Sequence, residues 1–162
     1  MNPTYRILDV TCSARSIWYQ KNRGDVVYGD IRVADIWVGK GKNGRRWKIS
    51  PNVQFDYTRL PFPNNHFKLV VWDPPHLINV GDNSWLAQKY GKLFADWRDN
   101  LRGGFDECFR VLEENGILIF KWSEAEKTTK EVLSLAPAEP LFGHTTRSKS
   151  KTNWLTFMKE TK

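Results

Sequence analysis

Val70-Val71-Trp72-Asp73-Pro74-Pro75-His76-Leu77 takes an apolar, β-branched run into an acidic residue, two prolines and a ring. The segment from Phe67 to Trp72 reads as a buried strand, because it is short, continuous and rich in valine. Neither Pro74 nor Pro75 can extend a ladder, since proline lacks an N–H and fixes φ. The Asp73 carboxylate, the Pro74 carbonyl and the His76 ring are therefore left at the carboxyl end of the strand, where open α/β sheets bind their ligands. A stiff backbone rich in acceptors, with a flat ring beside it, suits a planar group bearing an N–H2. A rigid loop with a surface carboxylate would account for the same eight residues, so the rest of the chain has to decide.

Around this strand the pattern alternates. Residues 5–10 form a first strand that ends near Asp9, followed by a loop of small residues at 11–14 and an expected helix over 15–22 closed by Gly24. Residues 26–28 make a second strand running into Gly29-Asp30, and 53–55 a third running into Asp56-Tyr57. Between them lies no helical pattern; Asn43-Gly44 sits between Trp37-Val38 and Trp47-Lys48-Ile49, the turn signal of a hairpin inserted over about 36–50. Beyond Leu77 come a short helix at 85–90 and an amphipathic one over 96–112, with Phe105, Cys108, Phe109 and Leu112 on one face. Gly103-Gly104 is a place where that helix could bend. A strand at 117–122, a helix at 124–135 and two strands near 140–142 and 154–158 complete the chain. The expected architecture is α/β: a Rossmann-like, mostly parallel sheet flanked by helices, with an antiparallel C-terminal strand. One domain over residues 1–162 accommodates all of it.

Composition narrows the chemistry. No apolar run approaches the roughly 18 residues a membrane helix needs, and no signal-like segment precedes Asp9. Cys12 and Cys108 make neither a disulfide framework nor a ligand cluster, and His66, His76 and His144 are far apart. The expectation is a reduced, cytoplasmic protein with no metal and no membrane. A net charge of +7 points instead to a polyanionic partner.

Three carboxylates, Asp9, Asp30 and Asp56, end successive strands and so line one edge of a parallel sheet. Asp30 follows Asp9 by about twenty residues, the spacing at which an acid reaches a ribose hydroxyl. Asp56 could accept from an adenine amine while Tyr57 or Leu60 packs on the ring. Aspartate also ends strands because it favours turns, so the order of the three, ahead of Asp-Pro-Pro, carries the weight. Gly39-x-Gly41-x-x-Gly44 matches the dinucleotide pattern, but it leads into strand-like residues rather than a helix. No Gly-Lys-Ser/Thr of a phosphate loop follows it either.

In this order, Asp9, Asp30, Asp56 and Asp73-Pro74-Pro75-His76 resemble the class I S-adenosylmethionine-dependent methyltransferases. More narrowly, the chain is similar to small phage and prophage enzymes related to the amino-methyltransferases of adenine and cytosine. The likeness runs through Trp85-Leu86-Ala87, Lys89-Tyr90-Gly91-Lys92-Leu93, Phe120-Lys121-Trp122 and Lys149-Ser150-Lys151-Thr152-Asn153-Trp154-Leu155. It implies S-adenosylmethionine as cofactor, with Asp9, Thr11, Cys12 and Ser13 near its methionine part, Asp30 on the ribose and Asp56 with Tyr57 at the adenine. It further implies that Asp73 and the Pro74 carbonyl accept the hydrogens of the target amine, that Pro75 stiffens the turn and that His76 stacks on the base. Two positions depart from the pattern. The first loop has no glycine where close backbone approach normally requires one, and a histidine stands where Tyr, Phe or Trp is commoner. Carbon methylation would need a thiolate in the catalytic loop, and neither cysteine lies there.

For the partner, Lys40, Lys42, Arg45, Arg46 and Lys48 are interleaved with Trp37 and Trp47; Arg147, Lys149 and Lys151 form a second basic loop, with Lys121 and Trp122 at a strand end nearby. Cations with aromatic platforms suit single-stranded or flipped-base nucleic acid, DNA or RNA. With no separate target-recognition domain, a companion subunit or a homodimer is compatible with the chain. Two other classes fit: a methyltransferase of a protein amide or small-molecule amine, and a non-catalytic nucleic-acid-binding module on the same fold.

Overall fold

The computed structural model of the protein describes residues 5–39, 41–146 and 151–161. In chain order its strands and helices are β1 (Ile7–Asp9), β2 (Val26–Asp30), β3 (Ala34–Val38), β4 (Arg45–Ile49), β5 (Val53–Gln54), β6 (Phe67–Trp72), α1 (Trp85–Tyr90), α2 (Trp97–Val111), β7 (Leu112–Ser123), α3 (Thr129–Leu133), β8 (Phe142–Thr146) and β9 (Thr152–Met158). Seven strands hydrogen-bond in the order β5-β2-β1-β6-β7-β9-β8, and β3 pairs with β4 as a separate hairpin. The first five of the seven are parallel, while β9 runs antiparallel between β7 and β8. The sheet is thus the expected mostly parallel one with an antiparallel strand at its C-terminal side. The chain leaves β1 in one direction for β2 and returns on the other side as β6. The loops after β1 and β6 therefore open side by side at a switch point.

The core lies where β6, β7 and β9 meet α2. Leu101, Phe105, Cys108 and Val111 recur at helical spacing on one face of α2, and all are buried. Phe105 packs edge-on against Trp72 at 4.9 Å between centroids and lies 4.8 Å from Phe120. Gly104 does not bend this helix, which is continuous; it lets the helix approach, since a Cβ there would fall 2.4 Å from Trp72 Cζ2. Alanine ordinarily gains about 1 kcal/mol over glycine in a helix. Here overpacking of about 1–3 kcal/mol wins, so Gly104→Ala should lower the denaturation midpoint, and a higher midpoint would contradict this packing.

Four elements differ from expectation, the last in sequence being β8, which covers Phe142–Thr146 rather than 140–142. Residues 15–22 form turns rather than a helix. Arg15 takes φ 54°, and its guanidinium binds the Lys21 carbonyl, the Asn22 side chain and the Ser50 carbonyl, tying the segment into an irregular loop. Strand β7 starts five residues early, at Leu112, and takes in Asn115-Gly116 as an irregularity opposite the Phe67–Leu69 register shift. Helix α3 is confined to Thr129–Leu133 because Thr128 and Glu131 form a capping box there, while Glu124 accepts the Thr129 N–H. Among the described residues no helix is long and apolar enough to cross a membrane.

Candidate functional site

The site begins where β6 stops. The Asp73 N–H donates to Thr11 Oγ1 at 3.0 Å and the Val10 N–H to the Val71 carbonyl at 2.9 Å, locking the loop after β6 to the loop after β1. Pro75 abuts Gly91, the φ 77° residue that ends α1, where a Cβ would meet the proline ring at 3.0 Å. His76 sits between Tyr90 and Trp122, at 5.9 and 6.4 Å between ring centroids. Burial, then the Lys121 charge, lowers the pKa of His76 against the opposing pull of Asp73 and Glu126, so the ring is neutral at physiological pH.

Asp73 is not a bare carboxylate. Lys121, at the end of β7, donates from Nζ to Asp73 Oδ2 at 2.6 Å, each side chain about a quarter exposed (26% and 27%). The parallel register Val71↔Ile119 and Trp72↔Phe120 brings them together. Lys121 thus belongs to the cleft wall.

The glycine-free first loop does adopt the conformation that glycine would make easy. Ser13 takes φ 47°, in the left-handed region. Its N–H donates to Asp30 Oδ2 at 2.9 Å and its hydroxyl accepts from Trp47 Nε1 at 3.2 Å. A side chain at this position therefore ties the β3–β4 hairpin to the first loop, a contact glycine could not make. Trp47 consequently lines the cleft, with Lys89 Nζ 4.6 Å from its ring.

One cleft gathers Thr11, Ser13, Asp30, Tyr57, Asp73, Pro74, Pro75, His76 and Lys121 from the residues the sequence singled out. Asp9 and Cys12 lie behind its wall. Asp9 is 1% exposed and accepts from Trp18 Nε1 at 2.7 Å and the Thr11 N–H at 3.3 Å; burial pushes its pKa up to about 7, and the charges of Asp73 and Asp30 add to the rise. The Cys12 thiol is pushed up to about 12, first by burial and then by Asp9 and Asp30, so it is inert at neutral pH. Asp30 is buried and paired: the Arg32 N–H and Nε donate to Oδ1 at 2.9 and 3.1 Å, and Arg32 Nη1 reaches on to the Gln88 carbonyl at the end of α1. Asp56 opens on an adjoining hollow that shares Ile31, Arg32, Tyr57 and Pro75 with the cleft and adds Phe94 and Asn100. There its Oδ1 accepts from the Thr58 N–H and hydroxyl, both at 2.8 Å, and Tyr57 donates to Asn100.

The basic residues divide. Lys42, Arg45, Arg46 and Lys48 are exposed on the hairpin, but Arg46 is held by Asp35 at 2.7 Å. Lys151 is exposed, whereas Lys40, Arg147 and Lys149 lie outside the described residues. Trp122 is a correction: it is wholly buried and gives its indole N–H to the Lys127 carbonyl at 3.0 Å, so it presents no face to a partner. Sequence inspection missed Arg32, Trp47, Lys89 and Tyr90 as cleft residues. The hydrophobic match of β6 with β7 was the available signal for Lys121 beside Asp73. Among the described residues no group of three or more His, Cys, Asp or Glu could hold a metal ion.

No protein-family model matches the sequence, and no curated protein matches it. Solved structures do superpose on the chain. The PH0226 protein of Pyrococcus horikoshii gives a TM-score of 0.58 at 12% identity, covering 94% of this chain and 81% of its own. A TehB-like S-adenosylmethionine-dependent methyltransferase from Corynebacterium glutamicum gives 0.58 at 13% identity over 99% of this chain and 83% of its own. The 4+2 cyclase SpnF gives 0.57 at 13% identity over 99% and 76%. The chain therefore has the Rossmann-like fold found in such methyltransferases. A cyclase with the same fold means that chemistry must be argued from the cleft.

Proposed function

We propose that this protein is an S-adenosylmethionine-dependent methyltransferase that methylates the exocyclic amine of adenine or cytosine in nucleic acid. The observation that supports it most is Asp73-Pro74 at the switch point, in one cleft with Asp30, Tyr57, Thr11 and Ser13. The residues fit the cofactor. Asp30 stands where ribose hydroxyls would replace part of its pairing with Arg32, and the adjoining hollow offers Ile31 and Phe94, 55% and 68% exposed, as apolar walls for a flat ring, with Asp56 as acceptor. The bound cofactor supplies a methyl group already activated by a sulfonium. Asp73 and the Pro74 carbonyl would accept hydrogen bonds from the amine and draw the nitrogen lone pair out of conjugation with the base, stabilising the positive charge that develops on nitrogen until one of its protons passes to water. The prolines fix these acceptors beforehand, so little reorganisation is needed. Neutral His76 stacks on the base without adding charge beside the sulfonium. A base within a duplex has to be flipped out to reach Asp73.

The Asp30–Arg32 pair favours a second reading, a nucleic-acid-binding module without catalysis, because a guanidinium already occupies the carboxylate that the ribose needs. Calorimetry separates the two. The methyltransferase reading expects micromolar binding of S-adenosylmethionine, and no binding at millimolar concentration favours the module.

The hairpin is the proposed phosphate contact. Each neutralised phosphate of a single strand adds about 0.7 to the slope of log K against log salt. Changing Lys42, Arg45 and Lys48 together to Gln should therefore reduce the slope by about 2 for a mixed-sequence oligonucleotide. Arg46 is left out because Asp35 holds it. An unchanged slope would remove the hairpin from the interface.

A further inference from the structure

The charges lining the cleft can be counted. Its carboxylates are Asp30 and Asp73, and its cations are Arg32, Lys89 and Lys121. Arg32 is paired with Asp30 and Lys121 with Asp73, while Lys89 lies over the Trp47 and Tyr90 rings at 4.6 and 4.5 Å. No carboxylate on the wall is left without a cation. An acceptor-rich grip would ordinarily attract any N–H donor, and an ammonium most of all, because charge-assisted hydrogen bonds are the strong ones. An alkylamine of ordinary pKa near 10.4 is an ammonium in all but about one molecule in 2,500 at pH 7, and in that form it has no lone pair to attack with. It would occupy the grip without reacting.

We infer that Lys121 is a specificity-determining residue: by occupying one oxygen of Asp73 it offsets much of the charge of the grip, leaves Oδ1 as the acceptor for an uncharged planar amino group and disfavours ammonium groups. This rests on the methyltransferase reading above for the nature of the grip, but the exclusion itself is a property of binding. The amino group of adenine or cytosine, or an amide, is neutral at pH 7 and needs only acceptors, which Asp73 Oδ1 and the Pro74 carbonyl supply. Lys121 is well placed to stay where it is. Its ammonium lies 5.6 Å from the Trp154 ring centroid, and the register of β7 on β6 fixes its backbone beside that of Asp73.

The test uses n-butylammonium as the probe and the His76 ring resonances, followed by NMR, as the reporter of the cleft, with tetramethylammonium as the ionic-strength control. Lys121→Met should bind n-butylammonium at least tenfold more tightly than the unaltered protein, and Lys121→Arg, which keeps the charge, should match the unaltered protein. His76 should also titrate at higher pH in Lys121→Met, since a neighbouring positive charge has gone while Asp73 and Glu126 remain. Equal n-butylammonium affinity in the unaltered protein and Lys121→Met would overturn the assignment. If the tenfold difference is found but the unaltered protein transfers no methyl to single-stranded oligonucleotides, the charge role of Lys121 stands and the methyltransferase reading falls.

Discussion

Asp73→Ala is expected to slow methyl transfer by about a hundred- to a thousandfold, the usual cost of removing one preorganised hydrogen-bonding group aimed at developing charge. Affinity for S-adenosylmethionine should change by no more than a few-fold, because the hollow formed by Ile31, Phe94 and Asp56 is untouched. The substitution should leave folding intact: Asp73 and Lys121 are each about a quarter exposed, so the lysine left behind keeps access to water. Asp73→Asn keeps one acceptor oxygen and should retain more activity than alanine. Initial rates beside calorimetry on the same samples check this. Transfer unaffected in Asp73→Ala would remove the carboxylate from the chemistry.

The second large effect concerns Asp9. Its folded pKa of about 7 lies above the value of 3.8 expected for an unfolded chain, so the folded state holds the proton more tightly. Stability therefore falls as pH rises from about 4 to about 7, and above that the whole penalty of a buried carboxylate is present. About three pKa units at 1.36 kcal/mol each set an upper limit of about 4 kcal/mol. Asp9→Asn removes the ionisation while keeping an acceptor for Trp18 Nε1. Its amide faces the Thr11 N–H less well, but that cost does not depend on pH. The gap in thermal midpoint, variant minus unaltered protein, should thus widen by several degrees, up to about 10 °C, between pH 5 and pH 8, at a few degrees per kcal/mol. A gap constant across that range would contradict the burial argument.

Strand β6 and its Asp-Pro-Pro-His exit were legible because every local signal agreed: β-branched residues, continuous hydrophobicity, then two prolines. The parallel order of the early strands followed from their spacing in the same way. The helix expected at 15–22 failed because Arg15 adopts a left-handed backbone and spends its guanidinium on the carbonyl of Lys21, competition that no periodicity reveals. Hairpin β3–β4 was visible from Asn43-Gly44, but its role as a cleft wall depends on contacts distant in sequence, among them the packing of Ala14 on the cluster of Val38, Trp47 and Ile49 and the bond from Trp47 to Ser13, thirty-four residues away. Trp122 misled because a residue at a strand end can point either way, and one residue of register decides between cleft and core. Lys121 points into the cleft and Trp122 into the core. Asp30 was found by its spacing, whereas its partner Arg32 reads in the sequence as one more surface cation.

The most direct test of the central claim is mass spectrometry of nucleosides released from single-stranded DNA and RNA oligonucleotides after incubation with the protein and methyl-deuterated S-adenosylmethionine. The account predicts a label on the exocyclic nitrogen of adenine or cytosine, accumulating about a hundred- to a thousandfold more slowly with Asp73→Ala. A label on a ring carbon, or none on any base while the protein binds the cofactor, would contradict it.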